Sequence, residues 1–152
     1  MPQEVFICHF EARYWSEIRA IRDKVFIEEQ AVSPEEEFDE FENSARHFLA
    51  FHDGIPSGTA RWRQTEKGVK LERFAVLHDM RGKGVGRLLV GQVLKDVFRE
   101  LPEPGLIYLH AQVQAIPFYQ ACGFEAFGEE FSEAGIRHRK MRFIRSQPLD
   151  LD

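Results

Sequence analysis

Apolar residues recur along this chain in two rhythms, and each rhythm predicts a kind of element. Trp15, Ile18, Ile21, Arg22, Val25 and Phe26 recur at helical spacing, so a helix is expected over about Tyr14 to Glu28, with Ser16 as a candidate N-cap. Before it, Val5 to Phe10 alternates weakly and reads as a strand. Residues 28–42 follow neither rhythm. They hold eight acids interrupted by Pro34 and read as a loop or a short second helix. Arg46 to His52 and Gly58 to Gln64 read as strands joined through the turn signal Asp53-Gly54. Thr65 to Gly68 is a second turn, and Lys70 to Leu77 completes a meander. The run Arg87 to Glu100 carries Leu88, Leu89, Val93, Leu94, Val97 and Phe98 on one side of a helix, which Pro102 to Gly105 ends. Leu106 to Gln112 is a strand, Ile116 to Cys122 a short helix, and Ala126 to Phe131 with Arg137 to Ile144 a closing hairpin. The tail from Ser146 is expected to fray. The order predicts an α+β fold: a single sheet, helices on both faces, in one domain over residues 1–152.

The junction between Leu77 and Arg87 carries the strongest chemistry. A strand (KLERFAVL) runs into a glycine loop (HDMRGKGVG) that opens a helix. Glycines let backbone come close to a ligand and adopt φ > 0. The unpaired N–H groups of a helix's first turn, with the helix dipole, then attract phosphate. Arg81, Lys83 and Arg87 add positive charge at the same place. A phosphorylated ligand at Arg81 to Gly86 is the first expectation. A Walker A loop is excluded, because no Lys-Ser or Lys-Thr follows these glycines. The dinucleotide pattern G-x-G-x-x-G also fails, since its third glycine falls one place early, at Gly86, and no second βαβ unit follows. What remains is Arg-x-x-Gly-x-Gly after a strand, read here as Arg81-Gly82-Lys83-Gly84-Val85-Gly86.

Composition narrows the rest. At 152 residues with 43% hydrophobic and 30% charged residues, the chain suits a water-soluble globular protein. No apolar run approaches a membrane span, and MPQEVFICHF has neither the basic start nor the apolar stretch of a secretory signal. Cys8 and Cys122 are too few for a disulfide framework and fit structural thiols in a reducing cytoplasm. No Cys/His cluster has zinc-ligand spacing, so no metal is expected. The net charge of −5 argues against nucleic acid as a partner. The 14 Phe read as an aromatic-rich core, with some available to line a cleft.

The glycine loop resembles that of the GNAT superfamily of acyl-CoA-dependent N-acyltransferases, and the resemblance extends over about residues 5–145. Leu109-His110-Ala111-Gln112 followed by Ala115-Ile116-Pro117-Phe118-Tyr119-Gln120-Ala121-Cys122-Gly123-Phe124 is similar to the family's second signature, F-Y-x-x-x-G-F after a strand and short helix. Arg22 to Gln30 with its acidic sequel, and Glu133 to His138, look like a small bacterial branch of that family. The resemblance implies the GNAT fold: a mixed, mostly antiparallel sheet that splays between strands four and five to admit coenzyme A. It implies acetyl-CoA as co-substrate, held at its pyrophosphate by the backbone of Arg81, Gly82, Lys83, Gly84, Val85 and Gly86. The pantetheine arm would pair with Phe74, Ala75 and Val76, and the amides of Ala75 or Val76 would polarise the thioester. Phe118 would pack beside the cofactor. Gln112 stands where many members have Asn, and its longer amide could still bond the arm.

Acyl transfer to an amine also needs proton chemistry. Tyr119 matches the family tyrosine that protonates the leaving thiolate. Its phenol, with a reference pKa of about 10, keeps its proton at neutral pH; read without the family, it is a packed aromatic. Glu72 lies near where several members place a general base, and on period 2 it shares a face with Phe74 and Val76. The alternative is a sheet carboxylate paired with Arg61, Arg63 or Arg73. Glu133 and His138 fall in the segment that borders the acceptor site, where His138 could accept a proton near neutrality. In the acidic run, Glu28, Gln30 and Glu37 are candidates to receive a cationic amine, while Glu29, Glu35 and Glu36 read as surface. The run could equally be a solvated face. The leading expectation is an acetyl-CoA-dependent N-acetyltransferase of small primary amines. A protein or peptide N-acetyltransferase and a non-catalytic acyl-CoA sensor are the competing ones. Family habit adds a homodimer as an expectation.

Overall fold

In the computed structural model, residues 3–8 and 12–144 are described, with residues 3–8, 12 and 13 as backbone only. The elements follow in the order β1 (Gln3–Cys8), α1 (Ala12–Arg22), α2 (Pro34–Glu37), β2 (Arg46–His52), β3 (Ile55–Thr65), β4 (Gly68–Val76), α3 (Val85–Glu100), β5 (Ile107–Gln112), α4 (Ile116–Ala121), β6 (Phe124–Glu133) and β7 (Ile136–Phe143). The strands form one mixed sheet in the order β1-β2-β3-β4-β5-β7-β6. Every neighbouring pair is antiparallel except β4 and β5. The expected end of the first strand at Phe10 and the tail from Ser146 lie outside the described residues, as does the side chain of Cys8. Among the described residues no helix is long and apolar enough to cross a membrane.

Local chemistry explains most boundaries. Asp53 and Gly54 both take positive φ (52° and 77°), as a tight hairpin turn between twisted strands requires. Ser33 caps α2, its Oγ accepting from the Glu36 N–H, with Pro34 at the first helical position. Ser16 is not a cap, because α1 starts four residues earlier, at Ala12. Beyond Arg22 the helix continues to Glu29 in wider π-type turns. Val25 and Phe26 still reach the same core as Ile18 and Ile21.

The sheet has a helix-covered core on each face. On one, α3 and α4 bury Val85, Leu89, Val93 and Leu94 against Phe48, Trp62, Val69, Leu71 and Leu109. On the other, α1 packs Ile18, Ile21, Val25 and Phe26 on Leu49 and Ala75. A bulge in β4 links the two. Thr59 pairs with Ala75 but Arg61 with Glu72, so β4 carries one residue more than β3 over this stretch. Arg73 absorbs the extra residue at φ 60°. The alternation therefore changes phase: Val69 and Leu71 face α3, and so do Phe74 and Val76, while Ala75 faces α1. Glu72 consequently does not share a face with Phe74 and Val76, as strict period 2 predicts.

Beneath α1 and α2, Glu72 joins a buried ionic network. Arg61 is fully buried and binds Asp39 (2.7 Å), Glu42 (2.8 Å) and Glu72 (3.0 Å). Arg22, also buried, holds Glu37 (2.7 Å) and Glu42 (2.9 Å), with its guanidinium over the rings of Trp15 and Phe38. Burial alone would raise the Asp39 carboxyl, but the Arg61 hydrogen bond and charge outweigh it and hold it at about 2. Burial does prevail at Glu37, whose carboxyl is raised despite Arg22 and Arg73.

Arg61→Ala should therefore destabilise the protein by about 3–5 kcal/mol, because the buried Glu42 and Glu72 and the half-buried Asp39 lose their shared cation. The exposed Arg142→Ala should cost less than about 0.5 kcal/mol. Urea midpoints check both. Because the folded Asp39 carboxyl lies below its unfolded value of about 4, its contribution is complete above that pH and lost as pH falls towards about 2. Wild-type stability should drop through that window, and Arg61→Ala should flatten the drop.

Candidate functional site

The parallel pairing of β4 and β5 stops almost as soon as it starts. Only Val69, Lys70 and Leu71 pair with Ile107, Tyr108 and Leu109. Gly68 sits at the closed end. A Cβ there would stand 2.3 Å from the Leu106 carbonyl oxygen, so the approach that starts the pairing requires glycine. Past Leu71 the strands diverge, β5 continues against β7, and the β4 edge that faced β5 has no strand partner. A cleft of about 870 Å³ opens in the gap. Its wall takes in Phe74, Ala75 and Val76 from β4, Leu109 to Gln112 from β5, and Phe118 and Tyr119 from α4. A free strand edge can hydrogen-bond an extended ligand as an added strand would.

The glycine loop sits at the outer end of this edge. Gly82 and Gly84 both take left-handed φ (78° and 85°), and Gly84 is the N-cap of α3, its carbonyl accepting from the Leu88 N–H. The helix thus begins at Val85, two residues before the sequence expectation. The first-turn N–H groups of Val85, Gly86 and Arg87 have no helical partner. Gly86 lies against Phe118, whose Cζ would be 3.2 Å from an added Cβ, so the loop and α4 meet without an intervening side chain. Gly82, Gly84, Val85, Gly86 and Arg81 line the cleft together with Gln112 and Phe118. Lys83 does not.

Two side-chain contacts bridge the cleft mouth from the segment after α1. Arg81 makes a two-pronged ion pair with Glu29 (2.6 and 2.8 Å), and its Nε donates to the Val76 carbonyl (3.0 Å). The amide of Gln112 donates to the side-chain oxygen of Gln30 (2.8 Å). Glu29 is therefore part of the cleft rather than plain surface. The signal was in the helical rhythm, since Glu29 lies four residues after Val25 and so on the same face. Gln30 and Glu37 also reach the cleft, whereas Glu28 lies outside it, exposed beside Lys24.

Tyr119 is nearly buried among Phe74, Phe118 and Phe124, with ring centroids 5.9, 5.0 and 6.0 Å away. Its hydroxyl has no hydrogen-bond partner among the described residues, yet no buried side-chain oxygen is left unpaired, so the phenol opens to the cleft. Burial, with a smaller effect of Cys122, raises its pKa, so it keeps its proton. Glu72 also lines the cleft, but Arg63 (2.6 Å), Arg61 (3.0 Å) and Lys70 (3.3 Å) hold its carboxylate. Burial favours protonation, and these cations outweigh it and lower the pKa. A carboxylate held this way is a poor proton acceptor. His138 lies at the far end, opposite Gln112 across β5 and β7, with Glu133 beside it.

Three comparisons bear on this architecture. A family model described as an acetyltransferase (GNAT) domain matches residues 12–145. Among curated proteins, the chain is 40% identical over 122 residues to a Bacillus subtilis protein named "Uncharacterized N-acetyltransferase YjcF", covering 80% of this chain and 86% of that one. Among solved structures it is similar to an acyl-CoA N-acyltransferase from Pseudomonas aeruginosa, with a TM-score of 0.83 and 25% identity over 94% of this chain and 100% of that one. Escherichia coli ElaA gives a TM-score of 0.81 at 25% identity, over 93% and 99% of the two chains. A Bacillus subtilis acetyltransferase in complex with CoA shares the fold, with a TM-score of 0.65 at 14% identity over 93% of this chain and 98% of that one.

Gly84→Asp separates the fold of the loop from its capacity to hold an anion. Asp tolerates positive φ better than most residues and is a favourable N-cap, so α3 should persist. Its carboxylate would oppose any phosphate at the first turn. Thermal stability should change little, while coenzyme A affinity, measured by calorimetry, should fall by about 100-fold or more. Undiminished affinity would remove the loop from the site.

Proposed function

The chain belongs to the acetyltransferase (GNAT) domain family, and from that premise we propose that it transfers an acetyl group from acetyl-CoA to the primary amine of a small molecule. The observation that carries this reading is the splay. One cleft combines an unpaired strand edge, a helix N-terminus entered through glycines, and a phenol that retains its proton. The chemical order of these features along the cleft matches the order of groups along acetyl-CoA. The pyrophosphate binds the N–H groups of Val85, Gly86 and Arg87, with Gly82 and Gly84 allowing its approach. The pantetheine arm lies along Phe74, Ala75 and Val76, and Gln112 bonds it once released from Gln30. Phe118 packs against the arm.

The amine enters from the side of Glu37 and His138 and attacks the thioester carbonyl. A carbon–nitrogen bond forms, the carbon–sulfur bond breaks, and the Tyr119 hydroxyl protonates the departing thiolate. Glu72 stays in the ionic network as a fixed charge and takes no proton. Arg81 and Glu29 part or rotate to admit the cofactor, since both prongs of the guanidinium are occupied by the carboxylate.

The test is direct. Purified protein with acetyl-CoA and a panel of small primary amines should release free thiol and give the acetylated amine by mass spectrometry. Turnover only with peptides, or none at all, would overturn the small-amine assignment. Tyr119→Phe should lower kcat by about 100-fold while leaving coenzyme A affinity within about twofold. Unchanged turnover would return Tyr119 to a packing role.

A further inference from the structure

At the end of the cleft beyond β5, two imidazoles converge on one carboxylate. His138 on β7 is buried, and its Nδ1 lies 2.7 Å from the Ile136 carbonyl oxygen. A carbonyl can only accept, so Nδ1 carries the hydrogen and Nε2 of the neutral ring presents a lone pair. That Nε2 stands 3.8 Å from Glu133 Oε2, beyond hydrogen-bond range. The other carboxylate oxygen is taken by His110, whose Nδ1 lies 3.0 Å from Oε1. The His110 hydrogen bond is the main reason the Glu133 carboxyl is held below its usual range, so it is an anion at neutral pH. Phe131 fixes both rings, stacking on His138 at 24° and meeting His110 edge-on.

Glu133 Oε2 and His138 Nε2 are thus two acceptors, side by side on the cleft wall, with no donor between them among the described residues. Two acceptors at this spacing gain from a group that donates to both, and a primary ammonium has three N–H bonds. We infer that the Glu133–His138 pair receives the acceptor's ammonium group and that His138 Nε2 is the general base of the reaction. This rests on the acetyltransfer reading above and supplies the base that Glu72 does not.

Protons balance. The ammonium gives one proton to Nε2, which becomes imidazolium beside Glu133. The neutral amine then attacks. A second amine proton passes to solvent as the tetrahedral adduct collapses, Tyr119 gives its proton to the thiolate, and the phenolate takes one back from solvent. The imidazolium discharges to solvent past Glu133, whose side chain is 45% exposed. The charged and titratable groups facing His138 are Glu133 from β6, His110 from β5 and, acting on Glu133 from a distance, Lys70 from β4. Among the cleft's acidic side chains, Glu29, Glu37, Asp39 and Glu72 are each bound to arginine and Glu36 accepts from Ser33, whereas Glu133 has an oxygen that adjoins an unprotonated nitrogen.

The first experiment follows kcat/KM against pH with acetyl-CoA and the fastest amine of the panel. Wild type should show an acid limb, its activity falling as pH is lowered, as a reaction that needs an unprotonated base does. His138→Gln should lower kcat/KM by about 100-fold at pH 7 and abolish that acid limb, with coenzyme A affinity unchanged. Glu133→Gln should mainly raise KM for the amine. An acid limb that persists in His138→Gln overturns the inference while leaving the acetyltransferase reading intact. A second measurement needs neither a variant of His138 nor turnover. Long-range proton–nitrogen NMR of the wild-type imidazoles should show His138 with its hydrogen on Nδ1. Adding propylammonium should displace the Nε2 resonance, and should not do so in Glu133→Gln. A hydrogen on Nε2, or no displacement, overturns the inference even if no panel amine is turned over.

Discussion

Three residue pairs hold β4 to β5, and the site depends on there being no more. A fourth or fifth pair would close the sheet and consume the backbone groups that now face the cleft. With none at all, β4 and β5 would separate and the α3 core shared by Leu71 and Leu109 would open. The contact is fixed at one end by Gly68 against Leu106 and lost at the other as β5 turns to β7. Unpaired backbone in a protein interior is costly unless water or a ligand satisfies it. The splay is a place where the fold leaves such groups open to a cleft wide enough for a ligand to satisfy them.

The bulge at Arg73 and the ionic network hold this geometry from behind. By adding one residue to β4, the bulge turns Phe74 and Val76 to the α3 face and leaves Glu72 among cations on the α1 face. Arg73 itself then reaches α2, donating to the Glu36 and Glu37 carbonyls and to Asp39. The acidic segment is thereby bound to β3 and β4 by arginines. Its local charge is largely spent on structure, in keeping with the proposed reception of the acceptor at Glu133 instead. Buried ion pairs contribute little net stability, yet losing one partner is expensive, so such a network specifies one arrangement of α2 over the cleft.

Sequence periodicity was sufficient for most elements, because most of the strands and helices whose side chains are described have one face in a core and the burial rhythm is written in residue types. It failed where geometry departs from the rhythm. Nothing in Arg73 as a residue type announces a left-handed backbone, so the phase change that moves Glu72 was hidden. The burial of Arg22 and Arg61 was not legible locally, because it depends on partners 15 and 22 residues away. The glycine loop was legible, since only a few chemistries need glycines between a strand and a helix. Lys83 was read into the site from its charge and its place in the loop motif, and it does not line the cleft. The convergence of His110, Glu133 and His138 arises from strand register, with His110 opposite Lys140 and Gln112 opposite His138, and no local motif encodes that.

The central claim is that the open edge of β4 and the first turn of α3 form one continuous binding surface. Backbone hydrogen exchange with and without coenzyme A tests it most directly. The amides of residues 74–76 and 85–87 should gain protection together on binding, with those of the distant β1–β2 strand pair unchanged. Protection of the α3 turn without the strand edge, or of neither, would contradict the account.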